Sequence, residues 1–199
     1  MKRQFSLAAG ALLLPIGWWL AAGGFGMTGH MAGHMMAVAV AAPLIAFGLS
    51  GTSADPAARW PRAVTPMGAM LVELGVVWGW HLPALRAASD SYRRAMVLEQ
   101  GMYLAAGFLL WSSVLAARHR ASGIGALLLT SMHMTLLGAL IGLAPRPLYD
   151  GMAMGHHGIE PLADQQLGGV VMLLIGAASY LIGGLAMLAG LLRMREVSA

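Results

Sequence analysis

Six apolar blocks, each long enough to cross a bilayer as a helix, take up most of this 199-residue chain. A membrane-spanning helix needs about 20 mainly apolar residues. The sequence predicts such spans over Phe5–Ala22, Met27–Ser50, Pro66–Ala87, Ala95–Ala117, Gly123–Ala144 and Gln165–Leu192. Inside hydrocarbon every backbone polar group must find an internal partner, so helices are the expected element, and no strand-like alternation is visible. Only 10% of the residues are charged, against roughly 25% in soluble domains. The fold class expected is therefore all-α, a polytopic transmembrane helical bundle of about six spans with no sizeable soluble domain. Small-residue pairs at Gly168-Gly169 and Gly183-Gly184 are expected to serve ordinary close packing of helices.

The basic residues lie at the ends of apolar blocks. With the N-terminus in the cytoplasm, the inner side holds Lys2, Arg3, Arg59, Arg62, Arg118, Arg120, Arg193 and Arg195, and the outer side Arg86, Arg93, Arg94 and Arg146. That bias predicts cytoplasmic N- and C-termini in a bacterial inner membrane. The first block, with Lys2-Arg3 before it and small residues near Ala21–Gly23, also reads as a cleavable signal, which would leave five spans. Pro15 and Trp18-Trp19 favour a retained anchor. The organisation expected is residues 1–26 as a first anchor or signal-like segment and 27–199 as a five-span bundle. The net charge of +4 marks topology and forms no basic stripe, which excludes nucleic-acid binding.

That topology sorts the histidines. His30 and His34 fall in the outer half of the second span, His81 near the outer end of the third, His133 near the middle of the fifth, and His156 and His157 in the outer loop before the last. His119 alone is cytoplasmic, flanked by Arg118 and Arg120, and reads as a solvated positive-inside element. Polar side chains inside a membrane are expensive and usually functional. On a helix of 3.6-residue period Met27, His30, Met31 and His34 share one face.

Imidazole suits copper and thioether favours Cu(I). Cysteine is absent and methionine numbers 16, so disulfides and thiolate ligands are excluded while sulfur ligation is not. A His/Met cluster of this kind is a candidate copper site, Cu(I) being the expected state. The His30/His34 spacing also suits axial or propionate partners of haem, and spacing alone does not choose between the two.

Among the carboxylates, Glu99 opens the fourth span on the outer side, beside Gln100. Glu73 lies in the inner half of the third span, to pair with another helix or stay neutral. Asp164 is placed to cap the last span or support a metal. Asp150 and Glu160 belong to the outer loop. There is no nucleophile elbow, phosphate-cradling loop or His-Glu-x-x-His motif, so no enzyme is expected. Ser112, Ser113 and Ser131 are expected to bond to backbone.

Several stretches, in order from about residue 27 to 190, resemble the CtaG family of cytochrome c oxidase assembly factors. They are His30-Met-Ala-Gly-His34-Met running into Ala41-Ala42-Pro43-Leu44, then Trp80-His81-Leu82-Pro83 and Gly107-Phe-Leu-Leu-Trp111. Next come Leu137-Gly138 leading to Ala144-Pro145-Arg146-Pro147-Leu148-Tyr149, and Leu162-Ala163-Asp164-Gln165-Gln166-Leu167-Gly168-Gly169. The resemblance implies a polytopic bacterial membrane protein that delivers copper to the catalytic subunit of a haem-copper oxidase.

Carried over by position, His30, His34, His81 and His133 become metal-binding candidates, with Asp164 in support; Met31, Glu99, His156 and His157 complete the candidate set. The chain departs from the family at Leu98-Glu99-Gln100, where a histidine is expected, and at Leu173, where tryptophan is expected; it also looks short by about one span. Glu99 or a methionine would then replace a lost ligand. Expected partners are membrane lipid, the oxidase catalytic subunit, a periplasmic copper donor and a further copy of the chain. A haem-binding electron carrier and a metal-free structural subunit of an oxidase are the competing readings.

Overall fold

The computed structural model describes residues 1–116, 120–149 and 159–197, with side chains through Arg193. His119, Asp150, His156 and His157 lie outside the described residues. Among the described residues eight helices follow one another: α1 (Lys2–Ala22), α2 (Gly26–Leu49), α3 (Pro56–Arg59), α4 (Pro66–Trp80), α5 (Pro83–Ser91), α6 (Arg93–Ala116), α7 (Arg120–Gly142) and α8 (Pro161–Arg193). Among the described residues there is no strand.

Four of these helices (α1, α2, α7 and α8) are long and apolar enough to cross a membrane, and the bent pair α4–α5 makes five. The expected count of six is therefore not confirmed among the described residues. The shortfall lies at α6, which has 24 residues but carries Glu99, Gln100, Tyr103, Ser112 and Ser113, all buried in the bundle. The third block was expected to run unbroken to Ala87, but it bends by 70° after Trp80. The cause is local. Proline disfavours the helical region for the residue before it, and Leu82, preceding Pro83, is extended at φ −65°, ψ 134°.

α2 runs through the middle, packed against α1, α6 and α8, while α7 packs on α8, α4 and α6. Helix association in lipid relies on close fit rather than on expulsion of water, and small residues supply that fit. A methyl group on Gly17 would stand 3.0 Å from the Gly33 carbonyl oxygen, and one on Gly169 would stand 2.5 Å from the Gly142 nitrogen. α1 thereby lies flush along α2, and α8 along α7. The Gly183 position is likewise filled by the Trp111 ring. Leucines and isoleucines such as Leu12, Ile16, Leu136, Leu140, Leu174 and Ile182 face outward.

Two stretches widen into π-helical turns, Met36–Ala41 in α2 and Met172–Ala177 in α8. Pro43 explains the first: it has no N–H to offer the Ala39 carbonyl one turn back. That carbonyl accepts the Ser179 hydroxyl at 2.6 Å, and the neighbouring Val38 carbonyl accepts the Tyr180 hydroxyl at 3.2 Å. α8 thus supplies the partners that proline takes from α2.

Candidate functional site

The start of α2, the end of α4, all of α5 and the starts of α6 and α8 meet at one end of the bundle. Three histidines converge there. His34 lies with its ring centroid 5.1 Å from His81, 5.5 Å from His30 and 4.6 Å from Tyr103, on which it stacks. All are buried. His30 and His34 reach this point because they stand one turn apart on α2. His81 reaches it because it caps α4 where Pro83 turns the chain.

Their hydrogen bonding differs. His81 Nδ1 lies 2.6 Å from the Val77 carbonyl and donates to it, which leaves the lone pair on Nε2. That Nε2, and both ring nitrogens of His34, are buried without a hydrogen-bond partner. Gln100, next to Glu99, is unpartnered at both its amide nitrogen and oxygen. Buried polar groups are normally satisfied, and unpartnered atoms also occur deeper in the bundle, at Thr130, Trp111 and both ring nitrogens of His133.

His30 instead belongs to a charged network. Arg86 Nη1 lies 2.6 Å from His30 Nε2, 2.8 Å from Nδ1, and 3.0 and 3.3 Å from the two Glu99 oxygens. His30 Nε2 is also 3.3 Å from Glu99 Oε1. Ser89 donates a short hydrogen bond to Glu99, and Tyr103 donates to it at 3.2 Å. Asp90 holds the other side of the guanidinium. Read along the chain, Arg86 has only a topological role as an outer-side charge. A 70° bend that folds α5 back over α6 buries it, and no local pattern in the sequence announces that bend's direction.

Asp164 is engaged at α2. Its Oδ2 accepts from the Met27 N–H at 2.6 Å, and its Oδ1 from the Thr28 N–H at 3.1 Å and the Thr28 hydroxyl at 2.6 Å. The expected cap exists, but across the bundle: Asp164 caps α2, not its own helix. Gly26 permits the close approach, with φ at +66° and the Asp164 carboxylate standing where a side chain would begin. Gln165 holds the loop after α7 by accepting from the Leu148 N–H at 2.6 Å and donating to the Ile141 carbonyl at 3.2 Å. Tyr149, in that loop, donates to the His81 carbonyl at 3.1 Å. Its burial pushes the phenol up to about 12, with the Arg86 charge pulling the other way.

Met31 and Met27 turn to α8, where their Cγ atoms would each lie 3.1 Å from a methyl on Gly168. The α2 face read from the sequence is therefore divided between two neighbours. His133 is elsewhere too. Its Nε2 is 3.7 Å from Oε2 of Glu73, whose other oxygen accepts a short hydrogen bond from Tyr180. Glu73 thus pairs with another helix, as expected. Ser113 and Ser131 bond to backbone carbonyls, whereas Ser112 donates to the Asp55 carboxylate in the loop before α3. Among the described residues no group of three or more His, Asp or Glu side chains is set to hold a metal ion at one point.

Neither a curated protein nor a solved structure matches this chain. The family model for the cytochrome c oxidase caa3 assembly factor (Caa3_CtaG) matches residues 2–194. With that match spanning every described helix, the chain belongs to the family of cytochrome c oxidase caa3 assembly factors.

Proposed function

We propose that this assembly factor handles copper, taking Cu(I) as cargo at His34 and His81 and passing it to the catalytic subunit of the oxidase. One observation carries this reading. Two imidazoles from different helices meet edge-on, 5.1 Å apart between centroids and at 70° to each other, with ring nitrogens buried and unpartnered. The His81 bond to Val77 is the arrangement that fixes a metal-binding imidazole: one ring nitrogen donates to a carbonyl, and the other keeps its lone pair. Imidazole pairs accept copper in the oxidation states available to it, and neither needs deprotonation at neutral pH. A two-nitrogen site also leaves a weakly held ion free to exchange to a recipient with more ligands.

The side of the membrane follows from the arginines, whose bias puts the α5 end outward, towards a periplasmic copper donor and the maturing oxidase in a bacterial inner membrane. α1 acts as a retained anchor, since its glycines are fitted to α2. The role is carriage, not catalysis. Haem is the less favoured cargo: Tyr103 stacks on His34 and His81 meets it edge-on, so other rings already pack around that imidazole.

Purified protein titrated with Cu(I) against a chromophoric chelator tests the proposal. One ion per chain is expected, and it should be lost in His34→Ala combined with His81→Ala. Unchanged stoichiometry in that variant, folded by circular dichroism, would falsify the assignment. A Soret band in the purified protein would replace it with the haem reading.

A further inference from the structure

Three oxygens share one hydrogen deep in the bundle. The Tyr180 hydroxyl is in hydrogen-bond contact with Glu73 Oε1 and lies 3.2 Å from the Val38 carbonyl oxygen. A phenol has a single hydrogen and donates it to one acceptor at a time. Val38 finds no donor within its own helix. The Ala42 N–H, its partner in an α-helical register, goes to the Ala37 carbonyl. In the π register the donor would come from residue 43, and Pro43 has no N–H.

Satisfying both contacts therefore takes one hydrogen more than the phenol has. A proton on Glu73 supplies it. Protonated at Oε1, the carboxyl donates to the Tyr180 oxygen, and the phenol donates onward to Val38. Without that proton the phenol turns to the carboxylate, and the buried Val38 carbonyl loses its partner, which is costly.

We propose that Glu73 is a proton-binding site inside the bundle, and that its loading hands the Tyr180 hydrogen to the π turn of α2. The step makes or breaks only the O–H bond at Glu73; the phenol keeps its own hydrogen and rotates it. His133 is placed to exchange the proton, because its Nε2 stands 3.7 Å from Glu73 Oε2 and neither of its ring nitrogens is engaged in a hydrogen bond.

Among the described residues the ionisable groups set against Glu73 are His133 from α7 and Tyr180 from α8. α6 brings Trp111, stacked on Tyr180 at 6.0 Å between centroids, and α2 the Val38 carbonyl. Arg86, Asp90 and Glu99 pair with one another at the histidine end, where α4 ends about two turns beyond Glu73. Glu73, fully buried, thus has no guanidinium of its own. The inference uses neither His34 nor His81 and stands apart from the copper reading. It gives the chain a proton-linked element beside its histidines, since the π turn begins two residues after His34.

Infrared difference spectroscopy of the full chain in detergent tests this, because the C=O stretch of a protonated carboxylic acid lies clear of the amide bands. Subtracting a pH titration of Glu73→Gln from that of wild type is expected to leave one such band, which disappears as pH rises. The Raman doublet of Tyr180, isolated by subtracting Tyr180→Phe, reports donation and acceptance at the phenol oxygen. It is expected to change in step with the carboxyl band and to stay fixed in Glu73→Gln. Should Glu73→Gln fail to fold, Tyr180→Phe keeps the carboxyl but removes its acceptor, and the band is expected to move to higher frequency. The inference is overturned if folded Glu73→Gln has lost no carboxyl band, if that band is the same at every pH, or if the Tyr180 doublet is unmoved while it titrates. A band left in place by Tyr180→Phe overturns it equally. None of these readings involves copper, so their failure leaves the copper assignment to its own titration.

Discussion

Asp164 accepts the Met27 N–H at 2.6 Å, although the two residues are 137 positions apart in the chain. The first turn of α2, the helix on which His30 and His34 follow, is therefore capped by the first turn of α8. A helix N-terminus presents free N–H groups and a partial positive charge, and a carboxylate satisfies both. The histidines are aimed by a residue that touches neither of them.

Removing that carboxylate has a measurable effect. Asp164→Ala is expected to lower stability by about 0.5–2 kcal/mol, the usual range for a lost N-cap. Asp164→Asn, which retains one acceptor oxygen, is expected to lose less. Denaturant unfolding in micelles, followed by circular dichroism, gives both values. An Ala variant as stable as wild type would show that the cap holds nothing.

Tyr149 provides a pH signature. Its phenol is raised from 10.0 to about 12 by burial, so folding favours the neutral form. The stability this contributes is present below pH 10 and lost as pH rises through about 12. Ultraviolet difference titration of wild type against Tyr149→Phe is expected to show one phenol ionising late. Ionisation of that phenol near 10 would contradict its burial and its bond to the His81 carbonyl.

At the opposite end, Asp55 responds to acid. Burial alone would raise its carboxyl. Hydrogen bonds from the Gly51 N–H, the Ser112 hydroxyl and the Ala58 and Ala57 N–H groups outweigh it and hold the group below its ordinary 3.8. Its contribution is present above that ordinary value and lost as pH falls through the lowered one. Ser112→Ala is expected to move the acid-unfolding midpoint upward. A midpoint unmoved by the substitution would detach Ser112 from the stability of this loop.

Close packing of α1 on α2 predicts a sharp contrast between glycines. A side chain at Gly33 would meet the Ala21 methyl at 2.7 Å, whereas Gly75 has nothing within 4 Å. Gly33→Leu is expected to destabilise the protein by about 1–3 kcal/mol through overpacking, and Gly75→Ala to be near neutral. Thermal unfolding of the two variants in the same micelle compares them directly. Equal transition temperatures would mean that α1 does not rest on α2 as described.

Local signals carried much of this molecule. The helical period put His30 and His34 on one side of α2 before any neighbour was known. Glu99, read as opening its apolar block on the outer side, does lie at those histidines' end of the bundle, 3.3 Å from His30, whereas the bend before Pro83 fell inside a block read as continuous. The same signals misplaced others. Ser112 looked like a backbone-bonded hydroxyl because its partner, Asp55, lies 57 residues away. Met31 shared an arc with His30, yet an arc does not say which neighbour lies across each part of it.

Apolar length, helical period and the positions of proline are properties of adjacent residues, so the sequence alone determined an all-helical membrane-type bundle and the spacing of its α2 histidines. Whether Arg86 lies in water or against Glu99, and which helix Asp164 caps, depends on the direction of a bend and the order in which helices pack. Those follow from contacts between residues remote in the chain, and only the tertiary structure decided them.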